Sequence, residues 1–416
     1  MQTSPGPVEG DMTPAARAAG GFEGRSPVGP WVTASEANRA RVLQLLYDMG
    51  PLSRADLAKL IGVTRTTVGS VVQPLIDGGV LVEGEPRPSG AVGGKPARPL
   101  WFSREGQPIG AVHLMPGRVA AAAVSPVGEV LATAGGTFRA DASDGSAAVD
   151  LVVECLRRVL PADGPRALGV GVAVGGMVDT DTGTIVEVSL APALSGLPLA
   201  PLVSRRLGLD VHIDHHPRAQ ALGDRWFGQA RGVRSFASLY LADVLGVGLV
   251  LDGAVQRGRA GAGGEIGHSV VELDGGEVCN CGRRGCWETV ATVGWLRGRA
   301  RRLGLPGAGK LTPGRLAERV AAGDRAAAGL LDRYARNIAV GIVNLQHTLA
   351  PGLFLLHGDV VAGGEVLRAA IEGHVAGWVL PQPGGPPEIV LAEDRDHATL
   401  LGAAGIVLSQ SLGRIR

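Results

Sequence analysis

Residues 265–288 read EIGHSVVELDGGEVCNCGRRGCWE. One histidine and three cysteines, His268, Cys279, Cys281 and Cys286, fall inside this run. Together they supply the four nitrogen and sulfur ligands of a closed tetrahedral zinc site. Gly282 and Gly285 let the backbone fold tightly round an ion. A four-ligand shell leaves no open position at which a water could be activated, so the spacing predicts a structural zinc and not a catalytic one. The alternative is a redox or merely buried cysteine cluster; ligand number and spacing favour the metal. Cys155, the fourth cysteine of the chain, stands far away in an apolar helical run with Leu151, Val152, Val153 and Leu156, and reads as core. Clustered cysteines of this kind argue for a metal in a reducing compartment rather than for disulfides.

On both sides of the run, from Ile109 onward, strands alternate with helices. Strands are expected at 119–124, 167–174, 238–241, 248–251 and 353–356, with long Ala- and Leu-rich helical stretches between Glu288 and Leu349. That alternation predicts an α/β body. The chain has 416 residues, 45% of them hydrophobic, which is enough for more than one domain. It holds no run of about 18 apolar residues free of charge and no N-terminal signal pattern, so a cytoplasmic protein without membrane association is expected.

The N-terminal part has a different texture. Residues 1–36 are rich in Pro, Gly, Ala and Ser without periodicity, and read as a disordered leader. Val42, Leu43, Leu45, Leu46 and Met49 then recur at helical spacing up to Gly50-Pro51. Ser53 precedes Asp56 by three residues, a capping-box pattern opening a second helix that carries Leu57, Ala58, Leu60 and Ile61. After Gly62, Thr64 caps a third helix with Val68, Val71, Val72, Leu75 and Ile76, in which Pro74 is an oddity that costs a backbone bond. A short strand at 80–82, a basic Pro- and Gly-rich loop and Leu100-Trp101-Phe102 complete a winged helix-turn-helix over residues 37–103. The body then spans residues 104–416.

Net charge is only +1 overall, yet between Asn38 and Arg98 eight basic residues face five acidic ones. A modestly basic module on a near-neutral body fits a head for double-stranded DNA. The start of the third helix, Thr64, Arg65, Thr66, Thr67 and Ser70, is the expected base-reading edge, because arginine can bond guanine bidentately and threonine offers a hydroxyl and a methyl. Arg39, Arg41, Arg54, Lys95 and Arg98 are candidate phosphate contacts. A helical trio could instead serve dimerisation or protein binding, but that role needs neither the basic loop nor the polar start of the third helix.

The His268/Cys279/Cys281/Cys286 pattern within GGEIGH (263–268) and GCWE (285–288) resembles the ROK family of repressors, open reading frames and kinases. The head, with SRADLAKLIGVTRTTVGSVVQPLIDGGVL at 53–81, resembles that of the ROK repressors. The resemblance covers residues 38–416 and implies a two-lobed actin-like ATPase fold, ribonuclease H-like and of hexokinase type, with a sugar in the cleft between the lobes. It implies sugar-contacting roles for Glu265, His268 and Glu288, although the two glutamates could simply brace the zinc loop. It also places Ser195 in a loop near the sugar, where relatives carry an Asn and a Trp.

The same resemblance exposes departures from the kinases. Phosphoryl transfer needs a carboxylate to take the hydroxyl proton, and turns that cradle phosphate. Where the family's Asn-Asp pair is expected, this chain has His215 and His216. The first phosphate turn reads His113-Leu-Met-Pro-Gly117, the second Ala242-Asp243-Val244, and the adenosine turn His357-Gly358-Asp359. The expectation is therefore a regulator without kinase activity: a homodimer or homotetramer that represses carbohydrate-related genes at a DNA operator, with a sugar or derivative as effector. Two rival classes are a sugar kinase with an appended DNA-binding head and a regulator whose body senses a protein partner.

Overall fold

The computed structural model describes residues 34–86, 97–141, 144–161, 167–393 and 397–412. Lys95 and nearly all of the expected leader lie outside the described residues.

The head is α1 (Ala34–Met49), β1 (Leu52–Ser53), α2 (Arg54–Ile61), α3 (Arg65–Asp77), β2 (Leu81–Glu83) and β3 (Pro99–Phe102). Helix α1 thus starts inside the stretch read as leader. The capping box forms as the sequence predicts: the Ser53 hydroxyl accepts from the Asp56 N–H, while the Asp56 carboxylate accepts from the Ser53 N–H. Gly62 closes α2 at φ 78°, a left-handed conformation suited to glycine. Pro74 lies on the exposed side of α3, which continues to Asp77, so water can satisfy the carbonyl that loses its partner. The strands form one small sheet in the order β1-β3-β2; β1 was not foreseen.

Val42, Leu43 and Leu46 of α1, Leu57 of α2 and Val68, Val72 and Leu75 of α3 form the head's core. Two expected members of the apolar faces are exposed, Met49 at 57% and Leu60 at 48%. Leu60 stands roughly 100° round the helix from the centre of the stripe set by Leu57, Ala58 and Ile61. Met49 is simply the last residue of its helix.

The body opens with β4 (Ile109–Met115), β5 (Arg118–Val124), β6 (Val130–Thr137), α4 (Ser146–Val159), β7 (Val170–Val174), β8 (Met177–Asp179), β9 (Thr184–Glu187), α5 (Leu199–Leu207), β10 (Val211–His215) and α6 (His216–Phe227). It continues with β11 (Phe236–Leu241), β12 (Leu245–Leu251), β13 (Ala254–Val255), α7 (Glu288–Ala291), α8 (Val293–Arg302), α9 (Pro313–Ala321), α10 (Arg325–Leu349), β14 (Leu353–His357), α11 (Gly364–Trp378), β15 (Glu388–Leu391) and α12 (Ala398–Leu412). Among the described residues these strands make two five-stranded sheets, β10-β7-β4-β5-β6 and β13-β12-β11-β14-β15, and a separate two-stranded sheet, β8-β9.

The two sheets repeat one plan. Each begins with an antiparallel meander, β4-β5-β6 or β11-β12-β13, and extends from its first strand through two parallel strands, β7-β10 or β14-β15. This duplicated ribonuclease H-like unit is the two-lobed actin-like fold. The expected strand at 167–174 begins only at Val170, after Gly169 at φ 157°. Cys155 is fully buried in the first lobe's core.

Helix α12 returns from the second lobe to pack on α6, β4 and β7 of the first lobe, and on α1 of the head. The head's core is consequently continuous with that of the body, running from Val42 and Phe102 through Trp226 to Leu401 and Ala404. Among the described residues no helix is long and apolar enough to cross a membrane.

Candidate functional site

The side chains of His268, Cys279, Cys281 and Cys286 converge, their ligand atoms all lying within 4.8 Å of one another. Cys281 Sγ and Cys286 Sγ are 3.7 Å apart, and Cys279 Sγ lies 3.5 Å from His268 Nδ1. Tetrahedral zinc with ordinary bond lengths calls for S···S of about 3.8 Å and S···N of about 3.6 Å. The donor set and its spacing therefore fit a metal ion. Gly282 and Gly285 adopt φ of 81° and 73°, and a Cβ at Gly285 would fall 1.9 Å from the Glu272 carbonyl oxygen. Beyond the last cysteine, the fully buried Trp287 donates from Nε1 to the Asn337 carbonyl of α10 at 2.8 Å. Its ring lies against Gly341, where a Cβ would come within 2.2 Å of it.

Glu288 is tied to this loop. One carboxylate oxygen lies 3.7 Å from Cys279 Sγ, and the other accepts from the Leu245 N–H at 3.1 Å. Glu265 faces the other way, 3.4 Å from His215 Nδ1 and 3.9 Å from His268 Nε2. His268 thus turns Nδ1 to the cysteines and Nε2 to Glu265, joining the metal cluster to the interlobe cleft. Burial outweighs the opposing pull of Arg218 and raises the Glu265 pKa above its ordinary value.

His215 and His216 stand at the junction of β10 and α6. His216 is 8% exposed, and its Nδ1 is buried without a partner. Its ring packs against His215, Tyr240 and His113, with centroids 5.6, 5.0 and 5.9 Å away. Burial pushes His113 and His215 down to about 4 and His216 well below its ordinary value; Arg118 adds to the effect at His113 and Arg218 at His215. All three rings are neutral at pH 7. Tyr240 gave no signal in the sequence, since a single tyrosine in a strand looks like any core residue.

Beneath the histidines lies a charge cluster that was also missed. Asp214 is fully buried and takes Arg218 Nε on one oxygen at 2.6 Å and Arg257 Nε on the other at 2.8 Å. Burial alone would raise its pKa; the two guanidiniums outweigh that and hold it below the usual range. Arg218 Nη1 also donates to the Gly261 and Gly263 carbonyls, fixing the chain ahead of Glu265. Ser195 falls in a different set of contacts, its hydroxyl accepting from the Val188 N–H within its own loop.

A cavity of about 500 Å³ between the lobes is lined by His113, Arg118, Tyr240, His357, Asp359 and His397. It joins the first and third of the turns compared above with phosphate-binding turns. In the second turn, Asp243 is held by Arg297 at 3.0 Å. His357 Nε2 and the Ser238 hydroxyl both meet Asp224 Oδ2, at 2.9 and 2.8 Å.

On the head, Thr64, Arg65 and Thr66 are exposed at the start of α3. Thr64 caps it, accepting from the Thr67 N–H at 3.1 Å, and the two hydroxyls meet at 2.9 Å. Ser70 donates to the Thr67 carbonyl at 2.9 Å. The hydroxyls of Thr64, Thr67 and Ser70 thus engage the helix itself, while Arg65 and Thr66 face outward. Arg39, Arg41 and Arg98 are exposed. Arg54, also expected to meet phosphate, is partly exposed and paired with Glu83, an ion pair that ties α2 to β2.

A two-lobed actin-like body with a His/Cys3 loop fit for a metal, joined to a winged helix-turn-helix head, defines the class. The ROK family model matches residues 149–410, and the chain belongs to the ROK family. It is 31% identical over 257 residues to a glucokinase of Thermotoga maritima, covering 59% of this chain and 80% of that one. It is 25% identical over 395 residues to a xylose repressor of Caldicellulosiruptor bescii, covering 91% of this chain and 96% of the repressor. A match over 91% of the chain has to include head residues; one over 59% does not. A solved ROK family transcriptional regulator, a homolog of the E. coli MLC protein, shares the fold with a TM-score of 0.76 at 24% identity, covering 91% of this chain and 96% of its own.

Proposed function

We propose that this chain is a sequence-specific DNA-binding repressor, acting in the cytoplasm as a homodimer or homotetramer, whose body senses a sugar or sugar derivative without phosphorylating it. One observation carries the reading: His216, set by the family resemblance where a kinase has its proton acceptor, is buried among His113, His215 and Tyr240. A useful general base has a pKa near the working pH. His216 is held far below it, so its protonated form is disfavoured where it would have to form. The carboxylate Asp214 is committed to two arginines and cannot substitute.

What the cleft offers is recognition. Glu265, His268 and His215 form a line of donors and acceptors suited to sugar hydroxyls, with His216 behind them. A zinc ion held by His268, Cys279, Cys281 and Cys286 would supply a structural clasp, keeping His268 Nε2 aimed at Glu265. Helix α6 starts at His216 and ends at Phe227 beside Tyr47 of the head, so a ligand that favours one setting of the cleft also favours one setting of the head. Arg65 and Thr66 would read base edges, with Arg39, Arg41, Arg98 and Lys95 on phosphates.

Selection of bound sequences from random DNA duplexes, repeated with and without a panel of pentoses and hexoses, tests the proposal. A defined operator whose occupancy falls with one sugar is expected. ATP-dependent turnover of any sugar in an ADP-release assay would reject it, and so would absence of affinity for double-stranded DNA.

A further inference from the structure

Beside the cysteine-bearing loop, α8 and α10 border an open cavity of about 480 Å³ lined by Arg299, Arg302, Arg333, Arg336, Glu272 and Glu277. Each helix contributes two arginines at i, i+3 spacing, which sets each pair on one helix face. The helices are held together by the stacked rings of Trp295 and Tyr334, 6.2 Å apart, and Trp295 also lines the cavity.

Four guanidiniums face two carboxylates, leaving two positive charges in excess. Glu277 is already engaged by Arg302 at 3.3 Å. Arg299 keeps its Nε–H buried without an acceptor. A buried donor without a partner, surrounded by like charges, is unfavourable unless something brings negative charge and acceptor oxygens to it. We propose that this cavity is a second ligand site, which takes a small phosphate-bearing anion. A phosphate monoester carries close to two negative charges at neutral pH and three acceptor oxygens, and the planar fork of arginine matches those oxygens two at a time. The volume suits a phosphorylated sugar as well as free phosphate. Glu272 and Glu277 belong to the loop that carries the cysteines, so an occupant would also pin the metal loop to α10.

The test is thermal unfolding of the full-length, metal-loaded protein titrated with inorganic phosphate, glucose 6-phosphate or glucose, each against sodium chloride at matched ionic strength. A saturable rise in Tm with the two phosphates is expected by mass action. Glucose reports only on the interlobe cleft, so its result leaves this proposal untouched. A response at least tenfold tighter for glucose 6-phosphate identifies a sugar phosphate as occupant, whereas equal responses identify free phosphate. The R333Q/R336Q variant changes two exposed side chains. It should weaken the phosphate response at least tenfold while keeping its circular dichroism and its Tm in chloride. No saturable response to either phosphate beyond chloride overturns the site. A response of undiminished affinity in R333Q/R336Q also overturns it, because the anion then binds elsewhere.

Discussion

Tyr47 of the head and Trp226 of the body meet edge to face with ring centroids 4.7 Å apart, and Trp226 stands on the same helix as His216. Phe102 and Phe227 complete the cluster, and the Tyr47 hydroxyl donates to the Pro126 carbonyl. Arg231 Nε donates to the Tyr47 carbonyl at 2.8 Å, and Arg225 Nη2 to Gln44 Oε1, also at 2.8 Å. The ten residue steps from His216 to Trp226 span about 15 Å of helix. Trp226→Ala should cost about 3–5 kcal/mol in denaturant unfolding. It should also flatten the effector's influence on operator binding, while effector-free affinity stays within a few-fold. An undiminished effector response would remove α6 from the coupling.

Arg65→Ala should weaken operator binding by about 1–3 kcal/mol, the worth of a bidentate base contact. Binding to random duplex should change little. Equal losses on both DNAs, in anisotropy titrations at one salt concentration, would make Arg65 a phosphate contact.

Cys281→Ser leaves three of the four donors in place around its exposed position. Stoichiometric zinc after dialysis, measured by atomic emission, should fall well below one per chain. The Tm should then become insensitive to chelator. Retained equimolar zinc would rule Cys281 out as a ligand.

Asp214→Asn strips the partner charge from Arg218 and Arg257 in the interior. Breaking a buried ion pair on one side typically costs about 3–5 kcal/mol, and a loss of that size in urea unfolding is expected. Near-wild-type stability would mean that water reaches the arginines.

Acid should destabilise the fold in a window set by the buried histidines. His113 and His215 are pushed down to about 4, against about 6.5 for an unfolded histidine. Their contribution is fully present above pH 6.5. As the pH falls toward 4, the unfolded chain takes up protons that the folded rings refuse, and stability is lost. His113→Phe should remove on the order of 3 kcal/mol of that loss, seen as a flatter dependence of unfolding free energy on pH. An unchanged slope would show that water already reaches His113.

Much of this was legible in the sequence because local chemistry fixed it. The capping box at Ser53 and Asp56, the cap at Thr64 and the ligand spacing from His268 to Cys286 all act over a few residues. The pairing of Arg54 with Glu83 was not foreseen because Glu83 lies on another element. The Asp214–Arg218–Arg257 cluster and Tyr240 beside His216 were hidden for the same reason: strands distant in the chain bring them together. The duplication of the two sheets left no trace of repeated residues, since backbone pairing defines it and many apolar side chains can satisfy it.

Gly341 sits in the middle of a 25-residue helix, where alanine would ordinarily be worth about 1 kcal/mol more. The helix forgoes that gain to leave a notch for the indole of Trp287. Seated there, the cysteine-bearing segment is keyed into the longest rod of the second lobe, and the two can only travel as one piece. Motion is then left to the seam between the lobes, so a sugar arriving there would tilt whole halves of the molecule rather than fold a loop.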